Sequence, residues 1–215
     1  MITLRTTLWD VSTRPTFAEA SKALLRNTVL DALHELLDEK DWAAVTMADV
    51  ASISGVSRQT VYNEFGSRNG LAQAYALRLV DEFVTLVTGA IERNEHEVHR
   101  ALQDGFGDFF RSAAEDPLIR SLLSGEAKPD LLKLITTDAA PLIASATVGL
   151  ARTLSGSWLA LPHADAERIG RAISRMALSY VAMPPEDDRD VSADLGAVMA
   201  PAIIAARQAA GVADT

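Results

Sequence analysis

No cysteine occurs in the 215 residues, which excludes a disulfide framework, a thiolate nucleophile and every zinc site of the cysteine-containing kinds. A thiol-free chain fits a reducing compartment, so the cytoplasm is the expected location. Proline and glycine are sparse, 8 and 12 residues, too few for collagen-like or low-complexity sequence. Long apolar runs are missing as well. The N-terminal stretch MITLRTTLWDVSTRP has neither the apolar run nor the small-residue cleavage site of a secretory leader. Farther along, the longest apolar candidates are cut by Arg, Asp or Glu before they reach the length of a membrane span. The chain therefore reads as soluble, with no membrane partner. Positive charge is also short: 20 Lys+Arg against 29 Asp+Glu give a net charge of −9 and a pI near 4.9. For a protein whose only task is to bind nucleic acid, that is the wrong sign. The deficit is uneven, however. Residues 1–80 carry 8 basic and 9 acidic side chains, and residues 81–215 carry 12 and 20. What is present is globular composition, 48% apolar with 23% charged, in a length that suits one large domain or a small domain joined to a larger one.

Nearly every periodic segment runs at helical spacing. From Ala23, the set Leu25, Val29, Ala32, Leu33, Leu36 and Leu37 recurs at three and four residues, one buried helix face, and the pattern stops near Lys40 and Asp41. Thr46 followed by Asp49 places a hydroxyl cap and an acid at the start of a short helix from Met47 to Ser54 and Gly55. Ser57 repeats the capping signal and opens a second short helix through Phe65. Gly66 closes it, and Ser67 caps a third start. Beyond Gly70 the elements lengthen, to about Leu71–Glu92 and Glu97–Ala114. Asp116 with Pro117, then Pro129 and Pro141, mark further starts with proline in the first turn. Ile169, Ala172, Ile173, Met176, Ala177, Tyr180 and Val181 stripe one late helix. Leu195, Val198, Met199, Ala202, Ile203 and Ala206 stripe another, in which Pro201 is expected to kink or split the helix. Between these two, MPPEDDRD reads as a solvated loop. No alternating run calls for a strand and no repeat of fixed period appears, so the fold class is all-α.

Three short helices within residues 23–65, the last two joined by SISGVS, form a helix-turn-helix arrangement. Gly55 suits the tight turn because it accepts positive φ, and Val56 plugs the gap behind it. The second short helix concentrates Ser57, Arg58, Gln59, Thr60, Tyr62 and Asn63, while Val61 and Phe65 face inward. Arg can pair with guanine, Gln or Asn with adenine, and hydroxyls with phosphate oxygens, so this is the inventory for reading a duplex. The stretch TMADVASISGVSRQTVYNEFGSRNGL resembles the DNA-binding domain of the TetR family of transcriptional regulators, and the likeness covers roughly residues 22–71. Where the family pattern has Gly after the first helix, this chain has Asp41, a residue that tolerates the left-handed region. Glu64 stands where His is common, and an acid there would repel phosphate if it points at DNA. Arg68 replaces a frequent Lys, which keeps the charge and changes its hydrogen-bonding geometry.

The resemblance implies an N-terminal arm (1–20), a helix-turn-helix DNA-binding domain (21–70) and a larger helical body (71–215) that binds a small-molecule effector and makes a homodimer. It makes Thr46, Ser57, Arg58, Gln59, Thr60, Tyr62, Asn63 and Arg68 DNA-contact candidates, with Thr46 and Tyr62 on phosphate and Arg58, Gln59 and Asn63 on base edges. Arg26 is a further phosphate candidate, and Arg5 and Arg14 of the arm can reach the minor groove or backbone. The partner is then a double-stranded, pseudo-palindromic operator, and the expected activity is ligand-responsive transcriptional repression. Phe83, Phe106, Phe109, Phe110, Leu122, Leu134 and Trp158 are the candidate ligand walls. They bring few charges, so an apolar, lipid-like effector is expected. The candidate dimer interface is Ile169, Ile173, Met176, Tyr180, Leu195, Val198, Met199, Ala202, Ile203 and Ala206.

Other chemistry is weakly signalled. Glu95 and His99 lie four apart, near Glu92, His96 and Glu97, but without a third convergent ligand this is an exposed charged corner and no metal is expected. Ser, His and Asp occur without a nucleophile-elbow motif, so neither a catalytic site nor a cofactor is expected. The rival reading is a helical small-molecule-binding or adaptor protein without specific DNA binding, favoured by Glu64 and the net charge.

Overall fold

The computed structural model describes residues 16–124, 129–185 and 189–211. Arg5, Arg14 and residues 186–188 of the MPPEDDRD loop lie outside them. Ten α-helices, and no strand, make up the architecture of the described residues. Helix α1 (Phe17–Glu39) opens on a capping box in which Thr16 and Glu19 satisfy each other's backbone N–H groups. It therefore starts inside the stretch read as an arm. It buries Val29, Leu30, Ala32, Leu33, Leu36 and Leu37, while Leu25 is half-buried. The left-handed residue expected at Asp41 is not adopted: Lys40 and Asp41 are both extended, and Asp41 caps a 3₁₀ turn, Trp42–Ala44, by accepting from the Ala43 N–H at 3.0 Å. An acid in place of glycine thus ends one helix by starting another turn.

Helices α2 (Met47–Ile53) and α3 (Arg58–Phe65) begin where their hydroxyl caps predict, at Thr46 and Ser57. Gly55 between them has φ +69, a conformation that penalises any side chain. Helix α4 (Arg68–Arg93) is capped by Ser67 and runs without a break from the head into the body. The body adds α5 (Val98–Glu115), α6 (Pro117–Leu123), α7 (Pro129–Ile135), α8 (Ala140–Gly156), α9 (His163–Ala182) and α10 (Val191–Ala209). Within it α8 lies along α9, α10 along α5, and α4 against both α5 and α8. Residues 129–156 include an 18-residue window with mean hydropathy 1.4, but Asp130, Lys133, Asp138 and Arg152 leave every window of that length in the stretch with a charge, as expected. A turn at 136–138 divides the stretch into α7 and α8. Pro201 lies within α10, which continues through it as one helix with the proline ring exposed to solvent. Proline brings no backbone N–H, so the Ala197 carbonyl one turn earlier loses its helical donor, and Ala197 lies on the exposed side.

The packing corrects half of the expected dimer stripe. Ile169, Ile173, Leu195, Met199 and Ile203 are buried in the protomer's own core, because α9 and α10 turn these side chains onto α8 and α5. Tyr180 and Ala206 are half-buried against the same core. Met176, Val198 and Ala202 remain exposed.

Candidate nucleic-acid interface and apolar cavity

Helix α3 is anchored by Val61, fully buried, and Phe65, which sets its opposite face outward. On that face Arg58 lies over the Tyr62 ring at 5.4 Å, and its guanidinium reaches the Tyr62 hydroxyl at 3.4 Å. One position along, Gln59 Nε2 donates to Asn63 Oδ1 at 2.8 Å. All four are exposed. These two pairs leave guanidinium, amide and phenol groups side by side on one helix, able to exchange internal hydrogen bonds for base edges or phosphates. Ser57 and Thr60 share a 2.8 Å hydroxyl contact at the N-terminus of the helix, where Ser57 also accepts from the Thr60 N–H. Thr46 is occupied as a cap: its hydroxyl donates to Asp49 at 2.9 Å and accepts from the Asp49 N–H at 3.2 Å. Lys40 donates to the same carboxylate at 2.8 Å. Lys40 and Thr46 together hold the Asp49 carboxyl at a pKa of about 2.

Three charged residues point elsewhere than expected. Glu64 is only 10% exposed and turns back to α1, where Arg26 pairs with it at 3.0 Å and Lys22 at 3.7 Å. Its charge is met by two cations and does not stand on the open face of α3. Arg26, which also lies over the Phe65 ring at 5.1 Å, is correspondingly drawn away from a phosphate-facing position. Arg68 is turned inward as well. Its guanidinium stacks on Trp42 at 4.2 Å, donates to the Trp42 carbonyl and approaches Asp130 at 4.0 Å, so it ties the head to the body.

In the body, α4, α5, α6, α7, α8 and α9 line a half-open cavity of about 100 Å³. Phe83, Phe109, Leu122 and Leu134 line it, together with Leu118, Leu131, Ile143 and others of the same character. Ser174 supplies the one hydroxyl, and that group already donates to the Gly170 carbonyl at 2.7 Å. The cavity thus presents no charged group and no free polar one. The other expected walls lie outside it. Phe106 is 1% exposed in the body core and stacks on Phe110. Phe110 lines a neighbouring open groove with Arg111 and Tyr180. Trp158 donates its indole N–H to the Ile91 carbonyl at 2.7 Å at the far end of the bundle, with Arg207 over its ring. Aromatic composition identified body helices without separating core from cavity. Among the described residues no group of three or more His, Asp or Glu converges as a metal site would require.

Sequence reading missed the joint between head and body. Tyr75 of α4, fully buried, donates its hydroxyl to Asp116 at 2.8 Å and lies 2.6 Å from His34 Nδ1 of α1. Burial, then the neighbouring Asp116, push the phenol pKa upward, so the neutral donor persists at ordinary pH. Asp116 meanwhile caps α6, accepting from Leu118 N–H at 2.9 Å and Ile119 N–H at 3.0 Å. A few residues away, Trp42 donates its amide N–H to Ser121 at 3.1 Å and its indole N–H to Asp130 at 2.7 Å. The signal available in sequence was a lone Trp just after a helix end; its partners lie 79 and 88 residues away.

Two family models match the chain. The model of bacterial regulatory proteins of the tetR family covers residues 29–75, and that of the bacterial tetracyclin repressor C-terminal domain covers 97–201. The chain is 54% identical to the HTH-type transcriptional regulator AlkX of Mycobacterium tuberculosis over 86% of its own length and 88% of the relative's. Among solved structures it is similar to the TetR family repressor AlkX from a Dietzia species, implicated in biodegradation of n-alkanes. That match has 45% identity and a TM-score of 0.79, covering 84% of this chain and 96% of the other. A TetR transcriptional regulator from Rhodococcus shares the fold at 19% identity and a TM-score of 0.53, over 86% and 96% of the two chains.

Proposed function

This chain belongs to the TetR family of bacterial transcriptional regulators, and from that premise we propose that it represses transcription as a homodimer on a pseudo-palindromic operator and is released by a neutral, apolar effector. The observation that carries the reading is the open face of α3, where Arg58, Tyr62, Gln59 and Asn63 stand together on a helix anchored by Val61 and Phe65. Ser57 and Thr60 supply hydroxyls, and the helix start supplies backbone N–H groups, for the flanking phosphates. The main support for an adaptor without DNA affinity was Glu64, and its pairing with Arg26 and Lys22 removes that objection. Arg26, Arg68 and Thr46 enter this reading as residues that position α3, not as direct contacts.

The effector assignment rests on the cavity, whose walls offer hydrocarbon and one hydroxyl already in use. A charged ligand would leave its charge unpaired there, at a cost of several kcal/mol. An alkyl chain or a weakly polar derivative is the matching class, consistent with a relative implicated in biodegradation of n-alkanes. Association is assigned to the faces of α9 and α10 that carry Met176, Val198 and Ala202, the members of the expected stripe that the protomer leaves exposed. The protein acts where the DNA is, in the cytoplasm.

Selection from random-sequence duplexes tests the DNA assignment. Recovered sites are expected to hold two inverted half-sites with centres about one helical turn, ~34 Å, apart. Arg58→Ala is expected to weaken binding to such a site by about 1–3 kcal/mol and to relax one position in each half. Sedimentation at micromolar concentration is expected to show a dimer. Recovery of no common sequence, or a monomer in sedimentation, would contradict the operator model.

A further inference from the structure

The cavity and the reading head share two walls. Helices α6 and α7 are short, 7 residues each. Leu118, Ile119 and Leu122 of α6 and Leu131 and Leu134 of α7 face the cavity. Yet Leu118, Leu131 and Leu134 also belong to the packed cluster that forms the core of the head around Leu33, Val50 and Val61. The polar edges of the same two helices grip one head residue. Ser121 on α6 accepts from the Trp42 amide, and Asp130 on α7 accepts from the Trp42 indole. On the head side Trp42 is fixed in turn: it is fully buried, Arg68 stacks on it, and the Arg68 guanidinium donates to its carbonyl. It sits in the 3₁₀ turn that leads directly into α2.

The cavity size gives this arrangement a consequence. At about 100 Å³ it is smaller than the roughly 300–1,000 Å³ of pockets that hold drug-sized ligands. An alkyl effector of more than a few carbons that is taken in fully must therefore move a wall. Helices α4, α8 and α9 bury nine, six and six residues, whereas α7 buries two and α6 four. Displacement with the least loss of packing falls on α6 and α7. We propose that Trp42, clamped between Ser121 and Asp130, is the positioning residue through which occupancy of the cavity shifts the head. Separation of α6 from α7 moves the 3₁₀ turn, and with it α2 and α3, so the effector favours a head placement that fits the operator less well. The inference rests on the cavity being the effector site, and its test separates the two.

Because the chain contains no cysteine, Leu178→Cys places a single thiol in the cavity wall. Octyl methanethiosulfonate then attaches an octyl group there through a mixed disulfide, releasing methanesulfinate, and mass spectrometry reads the extent. Affinity for a selected operator duplex is measured with and without the octyl group in three backgrounds: Trp42, Trp42→Phe and Asp130→Ala. The octyl group is expected to weaken binding by about tenfold or more with Trp42 present and by less than about threefold in the other two. The ratio with and without the octyl group is taken within each background, so that a change in unmodified affinity, which reports damage to the head, is separated from coupling. Hydrogen exchange over residues 42–65 supplies a readout that needs no operator, with the octyl-dependent change expected only in the Trp42 background. Equal weakening in all three backgrounds would overturn the role of Trp42 and leave the effector site standing. No weakening and no exchange change in the Trp42 background would overturn both.

Discussion

Single side chains in this protein do different work from what their residue type announces. Tyr75 is an aromatic at a helical core spacing, yet its hydroxyl joins α1, α4 and α6 through His34 and Asp116. Tyr75→Phe keeps the ring and removes the donor, leaving one oxygen of a buried carboxylate short of a partner. The expected loss is about 1.5–3 kcal/mol in urea unfolding; an unchanged midpoint would show that water replaces the hydroxyl there. Asp49 gives a pH-dependent case. Its folded pKa of about 2 lies below the ordinary 3.8, so its contribution is complete above about pH 4 and disappears as pH falls through about 2. The stability gap between wild type and Asp49→Asn is expected to hold above about pH 4 and to narrow from there toward about pH 2, and a gap independent of pH would contradict the assignment. The role of Glu64 was not legible in sequence, because repulsion or pairing depends on Arg26, 38 residues earlier. Arg68 was misread for the same reason: its partner Trp42 lies 26 residues away, across a helix-turn-helix.

At the scale of elements, the starts of α2, α3, α4 and α6 follow from Thr46, Ser57, Ser67 and Asp116, since a cap and the N–H it satisfies lie within one turn. What local sequence could not decide is whether the apolar stripes of α9 and α10 meet the protomer's own core or a second copy. Helix α10 carries apolar residues around much of its circumference, while α9 sets Glu167, Arg168, Arg171 and Arg175 opposite its apolar stripe; in both, packing onto α8 and α5 decides that the stripe meets the protomer's own core. The corner between α3 and α4 is the tightest of these junctions. A Cβ on Gly70 would stand 2.1 Å from the Phe65 carbonyl oxygen, a backbone atom that cannot swing aside. Gly70→Ala must therefore shift α3 against α4, at an expected cost of about 1–3 kcal/mol. DNA affinity is expected to fall with it, because α3 carries the reading face. Thermal unfolding together with a binding titration checks this, and wild-type values in both would refute the claim that the corner sets the position of α3.

At the scale of the molecule, the body keeps a core of its own, but the head does not close its core alone. Leu118, Leu131, Leu134 and Leu142 of the body pack with the head residues, and α4 crosses the boundary that the sequence places between residues 70 and 71. Fold class, the helix-turn-helix and an apolar body were readable from caps and periodicity. The joint was not, since it is built from contacts between segments far apart in the chain. The proposed coupling between cavity and reading face would run through this shared packing. The net charge of −9 is a separate matter, since the acid excess lies in residues 81–215 and leaves the head nearly neutral.

The measurement that bears most directly on the account is a titration of the full-length protein against the duplex upstream of its own gene, beside an unrelated duplex, at 50 mM and 200 mM salt. Specific binding that weakens steeply with salt, with affinity for the upstream duplex on the order of 10³-fold higher or more, is the predicted result. Equal, weak binding to both duplexes at both salt concentrations would contradict it.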